Sequence, residues 1–299
     1  MTDKSVNLNI NSTLAKSEDG SIQITFDIPY SFIVKAKEEA LVELAKTTEV
    51  PGFRKGNAPV SEVKKRVEEA DLIEKALTGI LPKYFGDAIE KFKIKPVVYP
   101  KFELIKALEN ENWQIIAKTC EIPTFELPDY KKIIAGKFKE KQIWTPEKGS
   151  PNQKEEKKEE SPEEKEQTVV SLLLANTKFE IPKILVEEEV NSRLSSLLER
   201  TEKLGLTLEG YLASINKKPE DLRKEYEEKA INNIKVDLIL EKIATDEKIT
   251  AEEKEIDALI QASSADPKVA EKLNTPEQRR FIASILRKRK TLENLTKLA

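Results

Sequence analysis

The sequence predicts an α+β domain in its N-terminal part, followed by an elongated all-α domain with helical arms. Three observations carry that prediction. Apolar and polar residues alternate near both ends of the first 130 residues, apolar residues recur at helical spacing over most of the remainder, and charged residues reach 35% of the chain against 38% hydrophobic. Typical globular domains are roughly 25% charged and 45–50% apolar, so this chain has much surface for its core. Disorder throughout is the competing explanation, but a disordered chain need not repeat Leu, Ile and Val with a helical period over long windows. At 299 residues the chain can hold two or three domains, each with its own core.

In the first part, residues 6–14 and 21–28 alternate, with Ile22, Ile24, Phe26 and Ile28 on one face. Glu18-Asp19-Gly20 supplies turn chemistry between them, so the two runs read as a β-hairpin. Helical spacing follows in Ile33, Ala36, Ala40, Leu41 and Leu44. After a loop, Pro59 fits the first position of a short helix striped by Val60, Val63 and Val67. Apolar pairs from Leu72/Ile73 to Phe92 then recur about every fourth residue, a helix with a broad buried face. Pro82 lies inside it and removes one helical hydrogen bond, which predicts a kink or break near Gly79 to Pro82. Two further strands, 101–107 and 113–122, flank the polar turn 108–112. Strands first and last with helices between make an α+β domain over 1–130.

Residues 131–166 form the charged linker of this reading, centred on the run Glu155-Glu156-Lys157-Lys158-Glu159-Glu160 with little that could pack. Everything in 167–299 reads as helix. An apolar helix end carries Val169, Val170, Leu172, Leu173 and Leu174, and Phe179-Glu180-Ile181-Pro182 leads into a long helix closed by Gly205. A short piece at 207–215 precedes a second long helix after Pro219. Thr250-Ala251-Glu252-Glu253 is a capping-box pattern, and Thr275-Pro276 opens a last helix that buries Phe281, Ile282, Ile285, Leu286, Leu292, Leu295 and Leu298.

One short stretch has the chemistry of a contact site: Val50-Pro51-Gly52-Phe53-Arg54-Lys55-Gly56-Asn57-Ala58-Pro59. The prolines restrict the backbone at both ends and the glycines permit positive φ, so a tight loop carries Phe53, Arg54 and Lys55 at its tip. Two readings stand on these residues. Either this is a plain helix connector with Phe53 folded onto the core, or the aromatic beside two cations docks onto a surface both apolar and anionic, such as a ribonucleoprotein.

Gly52-Phe53-Arg54-Lys55-Gly56 with Pro59 three residues on, set between the first helix and two more, resembles the ribosome-docking signature of the trigger factor family. The helical second half, with Phe179-Glu180-Ile181-Pro182 ahead of paired arms, resembles that family's chaperone domain. The resemblance implies docking beside the polypeptide exit tunnel of the large ribosomal subunit, on protein and rRNA, through Gly52, Phe53, Arg54, Lys55 and Gly56. It further implies ATP-independent shielding of unfolded nascent chains in the cytoplasm, and homodimers off the ribosome. Lys64, Lys65 and Arg66, one helix on, are candidates to assist contact with rRNA. The 29 residues of 139–167 cannot hold the FKBP-type prolyl-isomerase domain that many trigger factors carry, since compact domains need at least ~50. The chain thus resembles the shorter, isomerase-less form.

Composition excludes much else. With no histidine and one cysteine, His-based triads and thiolate cages are out, and the chain implies no catalytic residue, metal or cofactor. A net charge of −3 leaves no global pull toward nucleic acid or membrane. Neither a signal peptide nor a membrane-length apolar run is visible, and lone Cys120 reads as an inert structural thiol. The basic cluster Arg279, Arg280, Arg287, Lys288, Arg289 and Lys290 is either a nucleic-acid patch or a solvated helix face. Two rival functions remain: an assembly factor holding folded partners such as ribosomal proteins, and a prolyl isomerase with an unrecognised site. No client-contacting residue can be named from the apolar stripes, since each also reads as core.

Overall fold

The structure is a computed structural model that describes residues 10–54, 56–142, 161–262 and 274–298. Contacts divide the chain into two compact units, Met1–Pro123 with Pro182–Glu188, and Thr124–Ile181 with Glu189–Ala299.

In the first unit, β1 (Asn11–Lys16), β2 (Ser21–Ile28), β3 (Lys101–Lys106) and β4 (Trp113–Cys120) form an antiparallel sheet in the order β1-β2-β4-β3. The hairpin turn is where the sequence puts it: Gly20 donates to the Ser17 carbonyl at 3.1 Å, and Ser17 donates back across the turn to Ser21 at 2.9 Å. Of the alternating run 6–14, residues 6–9 lie outside the described residues, and the described strand is Asn11–Lys16. Register sets Ile24 opposite Ala117, Phe26 opposite Ile115 and Ile28 opposite Trp113. That face is buried with Ile33 of α1 (Tyr30–Thr47) and with Leu81, Tyr84, Phe85 and Ala88 of α3 (Glu69–Phe92). Each buried Ile, Leu and Phe of this set contributes roughly 1.5–3 kcal/mol, against about 0–1 for a surface ion pair, so this face holds the unit together.

Between those helices lies the short α2 (Val60–Lys64), of whose stripe only Val63 is buried. A break at Pro82 is not observed: α3 runs through it as one 24-residue helix. Leu81 just before Pro82 and Tyr84 and Phe85 just after it are all buried, and packing of this kind outweighs one missing hydrogen bond.

Among the described residues the elements of the second unit are all helices: α4 (Tyr130–Gln142), α5 (Pro162–Asn176), most of α6 (Lys183–Lys203), α7 (Leu208–Ser214), α8 (Pro219–Asp246), α9 (Glu253–Ala262) and α10 (Pro276–Thr296). Ile134 and Phe138 of α4 join Val169 and Leu173 of α5, Ile239, Leu240 and Ile243 of α8 and Leu295 of α10 in one buried cluster. Both flanks of the 131–166 segment are therefore helical and α4 packs into this core, while 143–160, with the charge run, lies outside the described residues. The start of α5 is a full capping box. Glu164 N donates to Ser161 Oγ at 3.2 Å and Ser161 N to a Glu164 carboxylate oxygen at 2.9 Å, with Pro162 at the first helical position.

Gly205 closes α6, donating to Glu202 O at 2.9 Å while Leu206 donates to Thr201 O at 2.9 Å, the hydrogen-bond pair of a Schellman cap. The α9 start differs from the expected box at Thr250. The helix begins at Glu253, and Glu255 reaches back to accept from Glu252 N at 2.8 Å. The Thr250 carbonyl is engaged elsewhere, accepting from Lys290 Nζ of α10 at 3.2 Å, so residues 249–251 follow α10 instead of starting a helix. Thr275 does cap α10, accepting from Gln278 N at 3.3 Å. The buried face of α10 is narrower than its apolar residues suggest: Ile282 and Leu295 are buried, whereas Phe281, Ile285 and Leu298 are exposed. Phe281 and Ile285 lie one turn apart on a flank of the stripe that stays exposed.

Candidate functional site

The loop between α1 and α2 is two tight turns joined end to end. Phe53 N donates to Val50 O at 3.0 Å across Pro51-Gly52, and Gly52 has φ +90°. Proline second and a positive-φ glycine third are what a type II turn requires. Asn57 N then donates to Arg54 O at 2.9 Å, with Gly56 at φ +85° in the third position of the second turn. A Cβ on Gly56 would lie 3.4 Å from the Lys46 carbonyl, so this turn also sits close against the end of α1.

What holds the loop lies at its two ends. Val50 and Ala58 are buried in a cluster with Ala36, Ala40, Leu41 and Ala45 of α1, Val63 of α2 and Leu72 and Ala76 of α3. Thr48 N closes α1 by donating to Leu44 O at 2.8 Å. Between these anchors Phe53 is 45% exposed and belongs to no core cluster, so the reading in which it folds onto the core does not describe this loop. Arg54 is also exposed, and Lys55 lies outside the described residues. A stiff, pinned loop that presents an aromatic and a guanidinium can stack on a base or fill an apolar socket beside phosphate, with little ordering entropy left to lose. Val50 and Ala58 were not singled out in the sequence; their only signal is an apolar residue just outside each glycine turn.

Of Lys64, Lys65 and Arg66 only the first lies on α2, which ends there; Lys65, its C-cap, is paired with Glu62 at 2.7 Å. Glu69 is held below the usual carboxylate range by the hydrogen bond from Lys37, and Lys64 adds a smaller electrostatic contribution. Lys64, Lys65 and Arg66 all remain exposed or half-exposed near the loop in sequence, but only Lys65 has an ion pair among the described residues.

Four of the six basic residues of the α10 cluster form a clasp inside the second unit. Arg287 bonds Glu241 at 2.8 Å and the Ile249 carbonyl at 3.1 Å, Lys288 pairs with Asp237 at 3.1 Å, and Lys290 with Glu255 at 2.5 Å. Arg279 reaches Asp257 at 2.7 Å and also binds Glu253. These four are neutralised by α8 and α9, whereas Arg289 pairs with Glu293 of its own helix and Arg280 is exposed, so that part of the cluster is a solvated face. Cys120 is fully buried, and that burial pushes its thiol up to about 11, so it stays protonated and unreactive at neutral pH. Among the described residues no group of His, Cys, Asp and Glu is placed to hold a metal ion, and no helix is long and apolar enough to cross a membrane.

Residues 10–147 match the family described as bacterial trigger factor protein (TF), and residues 147–297 match the bacterial trigger factor protein (TF) C-terminus. The trigger factor of Corynebacterium glutamicum (strain R) is 32% identical over 122 residues, 41% of this chain and 27% of that protein. That of Listeria welshimeri is 32% identical over 133 residues, 44% of this chain and 31% of the relative. The chain thus spans about a third or less of the length of these curated relatives. A solved structure from a study of promiscuous substrate recognition in the folding and assembly activities of the trigger factor chaperone superposes with a TM-score of 0.62, covering 96% of this chain and 99% of that one at 15% identity. At that identity the superposition speaks for the fold. The two family matches meet at residue 147 and leave no stretch between them for a separate isomerase domain. This chain belongs to the trigger factor family, in a form without the isomerase domain.

Proposed function

We propose that this chain is a ribosome-associated, ATP-independent chaperone that docks near the polypeptide exit tunnel and shields apolar segments of nascent chains. The observation that carries this reading is the pinned loop: buried Val50 and Ala58 hold exposed Phe53 and Arg54 outward in a chain of this family. Gly52 and Gly56 shape the turns, Phe53, Arg54 and Lys55 make the contact with ribosomal protein and rRNA, and Lys64, Lys65 and Arg66 add local positive charge. In this reading 1–130 is the docking domain, 131–166 joins it to the chaperone domain of 167–299, and the protein works in the cytoplasm without catalysing a reaction, pairing with itself when off the ribosome.

The test is co-sedimentation with ribosomes. Replacing Phe53, Arg54 and Lys55 together by alanine should abolish pelleting while the circular dichroism spectrum is unchanged, and undiminished pelleting would sink the loop's assignment. A second reading, holding folded partners for assembly, is favoured only by the solved relative being described for both folding and assembly activities. Tight stoichiometric complexes with ribosomal proteins, in place of weak promiscuous binding, would select it.

A further inference from the structure

The stretch of the first unit from residue 97 to 108 holds five of the fifteen exposed large apolar side chains among the described residues: Val97, Tyr99, Leu104, Ile105 and Leu108. Tyr99 is 93% exposed, an arrangement that costs solubility and stabilises nothing inside the fold. Beside it lies a groove of about 690 Å³, formed by Pro82, Phe85 and Ile89 of α3, residues 96–100 and Phe102. No charged residue lines it, and the Tyr99 hydroxyl is its one polar side-chain group. A site for a small metabolite would need several convergent polar groups to orient it, and these are missing.

The same stretch contains a sheet edge. β3 pairs only with β4, so along its other side no strand among the described residues satisfies its backbone. The regular part of that edge runs from Lys101 to Leu104, roughly 13 Å, before the register shifts between Leu104 and Lys106. Phe102 and Leu104, opposite Ala117 and Ile115, point to the side of the sheet that carries α3 and the groove. A strand laid along β3 would therefore direct every second side chain toward the groove.

We infer that the β3 edge and this groove form a client-binding site that takes an extended, uncharged polypeptide segment by strand addition, with apolar residues at alternate positions. The inference rests on the chaperone reading above and specifies its substrate. Backbone complementarity favours this occupant, since an open edge is met only by another extended backbone. Charge does too: Lys101 pairs with Glu188 at 2.7 Å, Lys118 with Glu103 at 2.6 Å and Lys106 with Glu111 at 2.5 Å, so no unbalanced charge along the strand calls for a charged partner.

The test uses the intact chain and a synthetic ten-residue peptide of alternating leucine and serine, with a second version N-methylated at every other backbone nitrogen. The unmodified peptide should slow hydrogen exchange in residues 101–106 at least about tenfold, and the methylated one should not, because it keeps the side chains but cannot complete the ladder. Tyr99→Ala with Leu104→Ser, both exposed positions that leave the core intact, should weaken the unmodified peptide about tenfold. Equal binding of the two peptides, or protection confined to the helices of the second unit, overturns the inference. Concentration-dependent self-association protecting 101–106 without peptide overturns it in favour of a second copy as occupant. Suppression of aggregation of an unfolded model protein separates the two levels: a chain that suppresses aggregation with 101–106 unprotected loses only this site, whereas one that suppresses nothing loses the chaperone reading.

Discussion

At the scale of single residues, the loop between α1 and α2 is governed by two glycines and two small apolar anchors. Gly52 needs its positive φ, yet a Cβ there would meet nothing within 4 Å, so its replacement costs backbone strain alone. Gly52→Ala should lower stability by roughly 1–2 kcal/mol in urea unfolding and reduce ribosome pelleting, since Phe53 is re-aimed. Phe53→Ala is the complement: the side chain is half in solvent, so stability should move by no more than about 0.5 kcal/mol while pelleting falls sharply. A large stability loss in Phe53→Ala would mean that the ring is part of the core after all. The glycines, prolines and tip residues were readable in the sequence because a turn is decided by four neighbouring residues. Val50 and Ala58 were not, because their burial depends on α1, α2 and α3 closing over them.

At the scale of elements, caps and stripes fared differently. The caps at Gly205 and Thr275 are local and were legible. The box at Ser161 was equally local, but it sits in charged sequence whose composition hides a helix start. Ser161→Ala should cost about 1 kcal/mol of the second unit's stability. Apolar stripes locate a helix and say less about which flank is covered, as exposed Phe281 and Ile285 show on α10. The α10 clasp gives a sharper prediction. Glu241 accepts from Arg287 through one carboxylate oxygen, while its other oxygen is buried with no partner among the described residues. Arg287→Gln removes the countercharge and should destabilise the second unit by about 1–2 kcal/mol, less than for a fully buried pair because both side chains are partly solvated. A double-mutant cycle with Glu241→Gln checks it, and additive losses would contradict the coupling.

For the whole molecule, each described hydrophobic cluster lies within one of the two units. Calorimetry should then resolve two transitions, with Ile115→Ala lowering one and Ile243→Ala the other, each by about 2–5 kcal/mol. Acid should weaken both units. Glu121 is held below the ordinary carboxylate range by Lys16 and the Lys95 amide, Glu247 by Lys131 with Tyr130, and Glu255 by Lys290. A depressed carboxyl stabilises fully above its unfolded value of 4.5, and that stabilisation is lost as pH falls through the lower folded value. Urea midpoints should therefore fall between about pH 5 and 3, and Glu247→Gln should flatten the fall for the second unit. The sequence by itself determined the order and type of most elements, the turn chemistry of the α1–α2 loop and the absence of histidine chemistry, because periodicity, caps and turns act over a few neighbouring residues. Only the tertiary structure decided that Val50 and Ala58 pin the loop, that α4 packs into the second unit's core, that Arg279, Arg287, Lys288 and Lys290 of α10 form a clasp and that β3 lies at an edge with no further strand among the described residues. Each of those depends on which distant segments close over one another, and local pattern carries no record of that.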